Sequence, residues 1–162
     1  MPEEYNEAVA EHYAAFRPPL HLLILKKLFK PGERLQSGLD IGCGTGYSAI
    51  ALSDYCDQVI GIDPSKSMIQ QAVEHPSIEY IHGKEDQLVD LASESIDIVT
   101  FAGSLFYAKN LKLYQNLLRI LKPKGAVVVY DFEILLDSAL KLLGLQLNSI
   151  ESDYKFIVDL SD

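Results

Sequence analysis

The chain of 162 residues carries two cysteines, no tryptophan, and 14 basic residues against 23 acidic ones. Cys43 and Cys56 form no framework of spacings, and Cys43 lies in a glycine-rich stretch where a disulfide would obstruct a ligand. A reducing, cytoplasmic setting is therefore expected. The formal net charge of −9 repels phosphate backbones, so no nucleic-acid partner is expected. The one basic cluster, Lys26-Lys27 with Lys30 and Arg34, reads as a solvated helix face. No apolar run is long enough to span a bilayer, and no membrane association is expected. The opening Met1-Pro2-Glu3-Glu4 is acidic and polar, unlike a secretory signal. Repeats and low-complexity tracts are absent, and no metal site is expected. What remains is a domain-sized chain, 48% apolar, suited to one buried core and a small-molecule partner.

The stretch with the most information is Gly38-Leu39-Asp40-Ile41-Gly42-Cys43-Gly44-Thr45-Gly46-Tyr47. A short apolar segment runs into three glycines at alternating positions, and an amphipathic pattern (Ile50, Ala51, Tyr55) follows at once. Strand, glycine turn and helix form the first crossover of a nucleotide-binding sheet. Some glycines there take backbone angles closed to other residues. Others lack a side chain so that a ligand can lie against the main chain. A dinucleotide fingerprint needs Gly-x-Gly-x-x-Gly, and Tyr47 stands at its third glycine, which argues against a nicotinamide-dependent oxidoreductase.

The remaining pattern alternates strands and helices. Tyr5, Val9, Tyr13 and Phe16 share a face of a helix over Glu3 to Phe16, stopped by Pro18-Pro19. A helix is expected over Leu20 to Phe29, a strand over Ser37 to Ile41, and a helix from Gly46 to about Tyr55. Gln58 to Asp63 reads as a buried strand ending in a carboxylate, 21 residues after Gly42. The two oxygens of Asp63 suit a pair of ribose hydroxyls. Asp63-Pro64-Ser65 also fits a helix start with Asp63 as N-cap, so both roles stay open. A third helix carrying Met68, Ala72 and Val73 ends near His75-Pro76. Strands follow at Ile78 to His82 and Ile96 to Phe101, then a helix with Leu111, Tyr114, Leu118 and Leu121 at helical spacing, ended by Lys122-Pro123-Lys124-Gly125. Ala126 to Phe132 is a Val-rich run suited to the middle of a parallel sheet.

The glycine stretch resembles motif I of the class I S-adenosylmethionine-dependent methyltransferases, over ten consecutive positions. The phrase Tyr13-x-x-x-Arg17-Pro18 is similar to a segment of the family's small-molecule members, and Ser95-x-Asp97-Ile98-Val99 and Leu121-Lys122-Pro123-x-Gly125 are similar to segments of the family at large. The resemblance covers about residues 13 to 132. It implies an α/β fold, a three-layer α/β/α sandwich around a mostly parallel, doubly wound Rossmann-like sheet. Residues 1–34 would be a helical cap, 35–132 the cofactor-binding core, and 133–162 a C-terminal region. That region, with a helix over Leu135 to Leu147 and a strand over Tyr154 to Asp159, holds one strand where the family has two. Either the chain is truncated or a partner, such as a second copy, supplies that sheet edge.

The resemblance further implies S-adenosylmethionine as cofactor, S-adenosylhomocysteine as product, and in-line methyl transfer to a small molecule. Gly42, Gly44 and Gly46 would hold the methionine part, Asp40 would order the turn and meet the ammonium group, and Asp63 would fix the ribose, with Cys43, Thr45, Pro64 and Met68 also among the cofactor-binding residues. Glu85 and Asp86 would approach the adenine, although Lys84 stands where the family has an acid; an exposed acidic loop competes with that role. Ala102 would border the methionine. On the acceptor side stand Tyr13, Arg17, Phe106, Tyr107 and Asp131. For each a structural role competes: core aromatic for Tyr13, Phe106 and Tyr107, helix C-terminal cation for Arg17, and helix cap for Asp131. Phe106-Tyr107 replace a His-Trp pair of related enzymes, which leaves no obvious base. A cofactor-binding protein without activity is the alternative to the enzyme.

Overall fold

A computed structural model describes residues 20–131; Met1–Tyr130 form one compact unit and Asp131–Asp162 a second. Tyr13, Arg17 and the segments expected over Glu3 to Phe16, Leu135 to Leu147 and Tyr154 to Asp159 lie outside the described residues. Five parallel strands form one sheet: β1 Leu35–Ile41, β2 Cys56–Asp63, β3 Ile78–His82, β4 Ile96–Ala102 and β5 Leu121–Tyr130. Their order is β3-β2-β1-β4-β5. The chain moves outward from β1 to β3, then returns to the other side of β1. The point where that direction reverses lies between β1 and β4, where a parallel sheet opens a crevice at its carboxyl ends.

Burial follows the apolar runs. Leu39, Val59, Ile98, Val99 and Phe101 are almost wholly enclosed. Helix α1, Leu20–Leu25, turns His21 and Leu25 inward. It is shorter than the pattern predicts: Leu28 N–H donates to Leu25 O at 2.9 Å, so the helix tightens into turns before Phe29. Phe29 then stacks on Tyr55 at 4.3 Å. Helix α2, Tyr47–Ser53, packs Ala49, Ala51 and Leu52 into the same core cluster as Leu25, Cys43, Cys56 and Val59.

Four elements depart from the sequence reading. Helix α3 is Lys66–Gln70 and does not run on to His75, because Val73 N–H is drawn back to Thr45 O at 3.1 Å. Its N-cap is Ser65, whose hydroxyl accepts from Met68 N–H at 3.4 Å; Asp63 does not cap it. After a short helix, α4 Leu105–Ala108, comes α5, Leu111–Ile120, capped by Asn110, which accepts from Leu113 N–H at 2.9 Å. Helix α5 buries Leu113, Leu117 and Ile120, while Leu111 and Leu118 are 72% and 83% exposed. Both faces have helical spacing. Arg119 decides between them by donating to Leu88 O and Leu91 O at 2.5 and 2.6 Å, which ties α5 to the 3-10 helix Glu85–Asp90.

The fourth departure is β5. Leu121 to Gly125 do not merely end the helix but belong to the strand, with an irregularity where Ile96 pairs with Leu121 and Ile98 with Ala126. Lys122 reaches across it to Asp97 at 2.8 Å. Partial burial pushes the Asp97 carboxyl up, but Lys122 and the Ser37 amide and hydroxyl outweigh that and hold it below the usual carboxylate range. Among the described residues β5 pairs with β4, and Val127 and Val129 are 43% and 41% exposed. No helix among the described residues is long and apolar enough to cross a membrane.

Candidate cofactor site

The turn after β1 is built by its neighbours. Gly42 and Cys43 N–H groups both donate to Ile62 O, at 2.7 and 3.2 Å, and Gly44 N–H donates to the Asp63 carboxylate at 2.8 Å. The last two residues of β2 thus hold three successive amides of the turn. Gly42, Gly44 and Gly46 all have positive φ, at 75°, 55° and 89°. Their missing side chains have different consequences. A Cβ on Gly42 would strike Ser104, whose hydroxyl donates to Ile41 O, and a Cβ on Gly46 would strike the Tyr80 ring. A Cβ on Gly44 would meet nothing within 4 Å. Gly42 and Gly46 are required by packing and backbone together, and Gly44 by its backbone angle, with open space where a side chain would stand.

Open space at Gly44 belongs to a small cleft of about 20 Å³ lined by His21, Gly42, Cys43, Gly44, Thr45, Tyr47, Ser48 and Ala102. The cleft sits at the carboxyl ends of β1 and β4, where direction reverses. A space of about 20 Å³ takes little more than a water-sized group, so it suits a small polar group rather than a whole ligand. Thr45 is 1% exposed, and its hydroxyl has no hydrogen-bond partner among the described residues. A buried hydroxyl left without a partner costs about 1–3 kcal/mol, which a polar ligand group would recover. The unpartnered hydroxyl and the bare main chain at Gly44 together fit the amino-acid end of an adenosyl amino acid.

Two carboxylates support the turn. Asp40 is wholly buried; it accepts from Ser48 Oγ at 2.5 Å and from Thr100 Oγ1 at 2.7 Å. Burial pushes its carboxyl up to about 6, against the lowering effect of those two hydroxyls. Asp40 thereby joins β1 to α2 and β4 and orders the turn, but it has no surface with which to meet an ammonium group directly. Asp63 is 8% exposed and accepts from Ser65 N–H and Gly44 N–H, both at 2.8 Å. Burial raises its carboxyl as well, opposed by those two amides. Each oxygen of a carboxylate accepts more than one bond, so both retain lone pairs for ribose hydroxyls.

The other expected residues divide. Cys43 and Ala102 line the cleft. The Cys43 thiol is buried, which raises it far above its ordinary value and makes it a packing group. Met68 is buried at 4%, and Pro64 O accepts from His82 Nε2 at 3.1 Å. Glu85 opens the 3-10 helix, and Asp86 within it is exposed, as is Asp131 just beyond β5. Phe106 and Tyr107 in α4 are 43% and 56% exposed and meet edge to face at 5.5 Å. Three cleft residues escaped sequence reasoning: His21, Tyr47 as a lining group, and Ser48. A lone histidine in the apolar run Leu20–Leu25 was a signal, and so was Thr100 inside an apolar strand.

A family model described as "Methyltransferase domain" matches residues 39–129. This chain belongs to the class I S-adenosylmethionine-dependent methyltransferases. Its relatives include a protein of Saccharomyces cerevisiae named "Probable S-adenosylmethionine-dependent methyltransferase", 32% identical over 130 residues, covering 75% of this chain and 44% of that one. A demethylmenaquinone methyltransferase of Oceanobacillus iheyensis is 34% identical over 109 residues, covering 59% of this chain and 44% of that one. A solved DhpI–SAH complex superposes with a TM-score of 0.59 at 27% identity, covering 78% of this chain and 65% of that one. The chain spans about half the length of the curated relatives it matches. The family uses S-adenosylmethionine, and the cleft beside Gly44 is where the residues present fit it.

Proposed function

We propose that this methyltransferase domain transfers the methyl group of S-adenosylmethionine to a small-molecule acceptor by direct in-line displacement. The observation that carries the cofactor half of this reading is the buried, unpartnered Thr45 hydroxyl beside the open main chain of Gly44. The net charge of −9 and the absence of a long basic stripe support a small acceptor over a nucleic acid.

When bound, the cofactor supplies a methyl group already activated on a cationic sulfur. The protein's part is positioning. Gly42 and Gly44 admit the methionine part, and Thr45 bonds its polar end. Asp63 holds the ribose by both oxygens while its Gly44 and Ser65 bonds keep it aimed. Phe106 and Tyr107, in α4 just beyond the carboxyl end of β4, offer aromatic faces that favour a cation. Holding two reactants at contact distance can supply about 7–11 kcal/mol of a barrier, so a reactive nucleophile needs little else.

The test is incubation of the protein with methyl-labelled S-adenosylmethionine and a metabolite extract, followed by separation of labelled products by mass. A labelled metabolite that forms only with the protein is expected. Full cofactor affinity with no labelled metabolite would overturn the enzyme reading and leave a cofactor-binding protein.

A further inference from the structure

The glycine turn cannot order itself. Gly42, Gly44 and Gly46 all have positive φ, and glycine has the most backbone freedom to lose. The shape of the turn is therefore imposed by its neighbours. One peptide of the turn is gripped at both ends: Gly46 N–H donates to Cys43 O at 2.9 Å, and Thr45 O accepts from Val73 N–H at 3.1 Å. Val73 lies past the end of α3, in a stretch that is neither helix nor strand. An open groove of about 480 Å³, lined by Glu74, His75, Pro76, Ile78 and Tyr80, runs beside that stretch, so packing alone does not hold it. A hydrogen bond does: the Tyr80 hydroxyl donates to Val73 O at 3.0 Å. We propose that Tyr80 is a positioning residue for the cofactor site, which acts through Val73 to set the Thr45–Gly46 peptide in the form that receives the cofactor.

This relay rests on the cofactor reading above and runs from β3 to the turn after β1. Tyr80 pairs with Gly61 of β2, and its ring occupies the space that a Cβ on Gly61 or on Gly46 would need. Two glycines thus make room for one ring, and the ring aims its hydroxyl at Val73. Burial raises that hydroxyl above its ordinary value, so it stays protonated and acts as a donor. Val73 is then held on both sides, its C=O by Tyr80 and its N–H on Thr45 O. Without the Tyr80 bond, Val73 gains conformations in which its N–H no longer meets Thr45 O. The turn then samples forms that do not receive the cofactor. Binding must select the held form, and apparent affinity falls in proportion to the fraction of molecules that have it. Tyr80 itself need not touch the ligand.

Tyr80→Phe tests this, because it keeps the ring and removes only the hydroxyl. Calorimetry well below the variant's unfolding temperature should show S-adenosylhomocysteine bound about three- to tenfold more weakly than by wild type, the worth of one hydrogen bond between uncharged groups. Hydrogen exchange gives a second readout. The Val73 amide should exchange faster in Tyr80→Phe, and saturating S-adenosylhomocysteine should slow it again, since a ligand that selects the held turn also favours the held Val73. Wild type supplies the same test without a substitution: the ligand should slow its Val73 amide more than its Ser95 amide, which donates to Ile120 O away from the turn. A lower unfolding temperature with affinity within twofold of wild type would mean a merely structural role and overturn the proposal. So would a Val73 amide that the ligand leaves as fast as before, in the variant or in wild type. A wild-type protein that does not bind S-adenosylhomocysteine would instead overturn the cofactor reading beneath it.

Discussion

A Cβ on Gly44 would meet nothing within 4 Å, whereas one on Gly46 would run into the Tyr80 ring. Gly46→Ala should therefore cost about 2–4 kcal/mol of stability, combining left-handed backbone strain with overpacking. Gly44→Ala should cost about 1–2 kcal/mol, from the backbone alone. Urea unfolding of the two variants checks the difference. Asp40 gives a pH signature. Its folded carboxyl is raised to about 6 from 3.8, so its contribution to stability is full below the lower value and is lost as pH rises through the higher one. Asp40→Asn removes that dependence. Urea unfolding from pH 4 to 7 should show wild type losing on the order of 2–4 kcal/mol relative to the variant. Asp63, also raised, contributes with the same sign in both proteins. At this scale the glycines and Asp63 were legible from spacing, and Asp40 from the resemblance to motif I. Their partners Ser48, Thr100 and Tyr80 were not, because each comes from another element: strand register brings Thr100 opposite Asp40, and the turn into α2 brings Ser48 to the same carboxylate.

Helix α5 shows how an element hides its own orientation. The sequence offers two apolar faces, and a capping asparagine with one arginine decides which faces the sheet. Leu117→Ala should cost about 2–5 kcal/mol, because Leu117 is 7% exposed. Leu118→Ala should stay within about 0.5 kcal/mol, because Leu118 is 83% exposed. Arg119→Met should loosen the 3-10 helix Glu85–Asp90, because the carbonyls of Leu88 within it and Leu91 just after it lose the guanidinium, and faster amide exchange over that segment would show it. The strands were easier to read than the helices. Ile78–His82 matches its expected bounds, since its run of apolar residues is closed by Pro76 and Gly83. Helix α3 was read too long because its end is set by a tertiary hydrogen bond from Val73 to Thr45, which no local pattern records.

Across the molecule, the five-stranded order places a glycine turn, two buried carboxylates and an unpartnered hydroxyl at one reversal of the sheet. The alternation of strands and helices made that architecture legible, and motif I made the turn legible. The apolar run of β5 made it legible as a strand of that sheet, and among the described residues it pairs with β4. The central claim is that the turn admits the amino-acid end of S-adenosylmethionine at Gly44. Titration calorimetry of S-adenosylhomocysteine into wild type and Gly44→Asp tests it most directly, since an aspartate tolerates the backbone angle and yet fills the cleft with a side chain and a negative charge. One-site binding by wild type, abolished in a Gly44→Asp variant that still unfolds cooperatively, is the predicted result. Undiminished affinity in that variant would contradict the account.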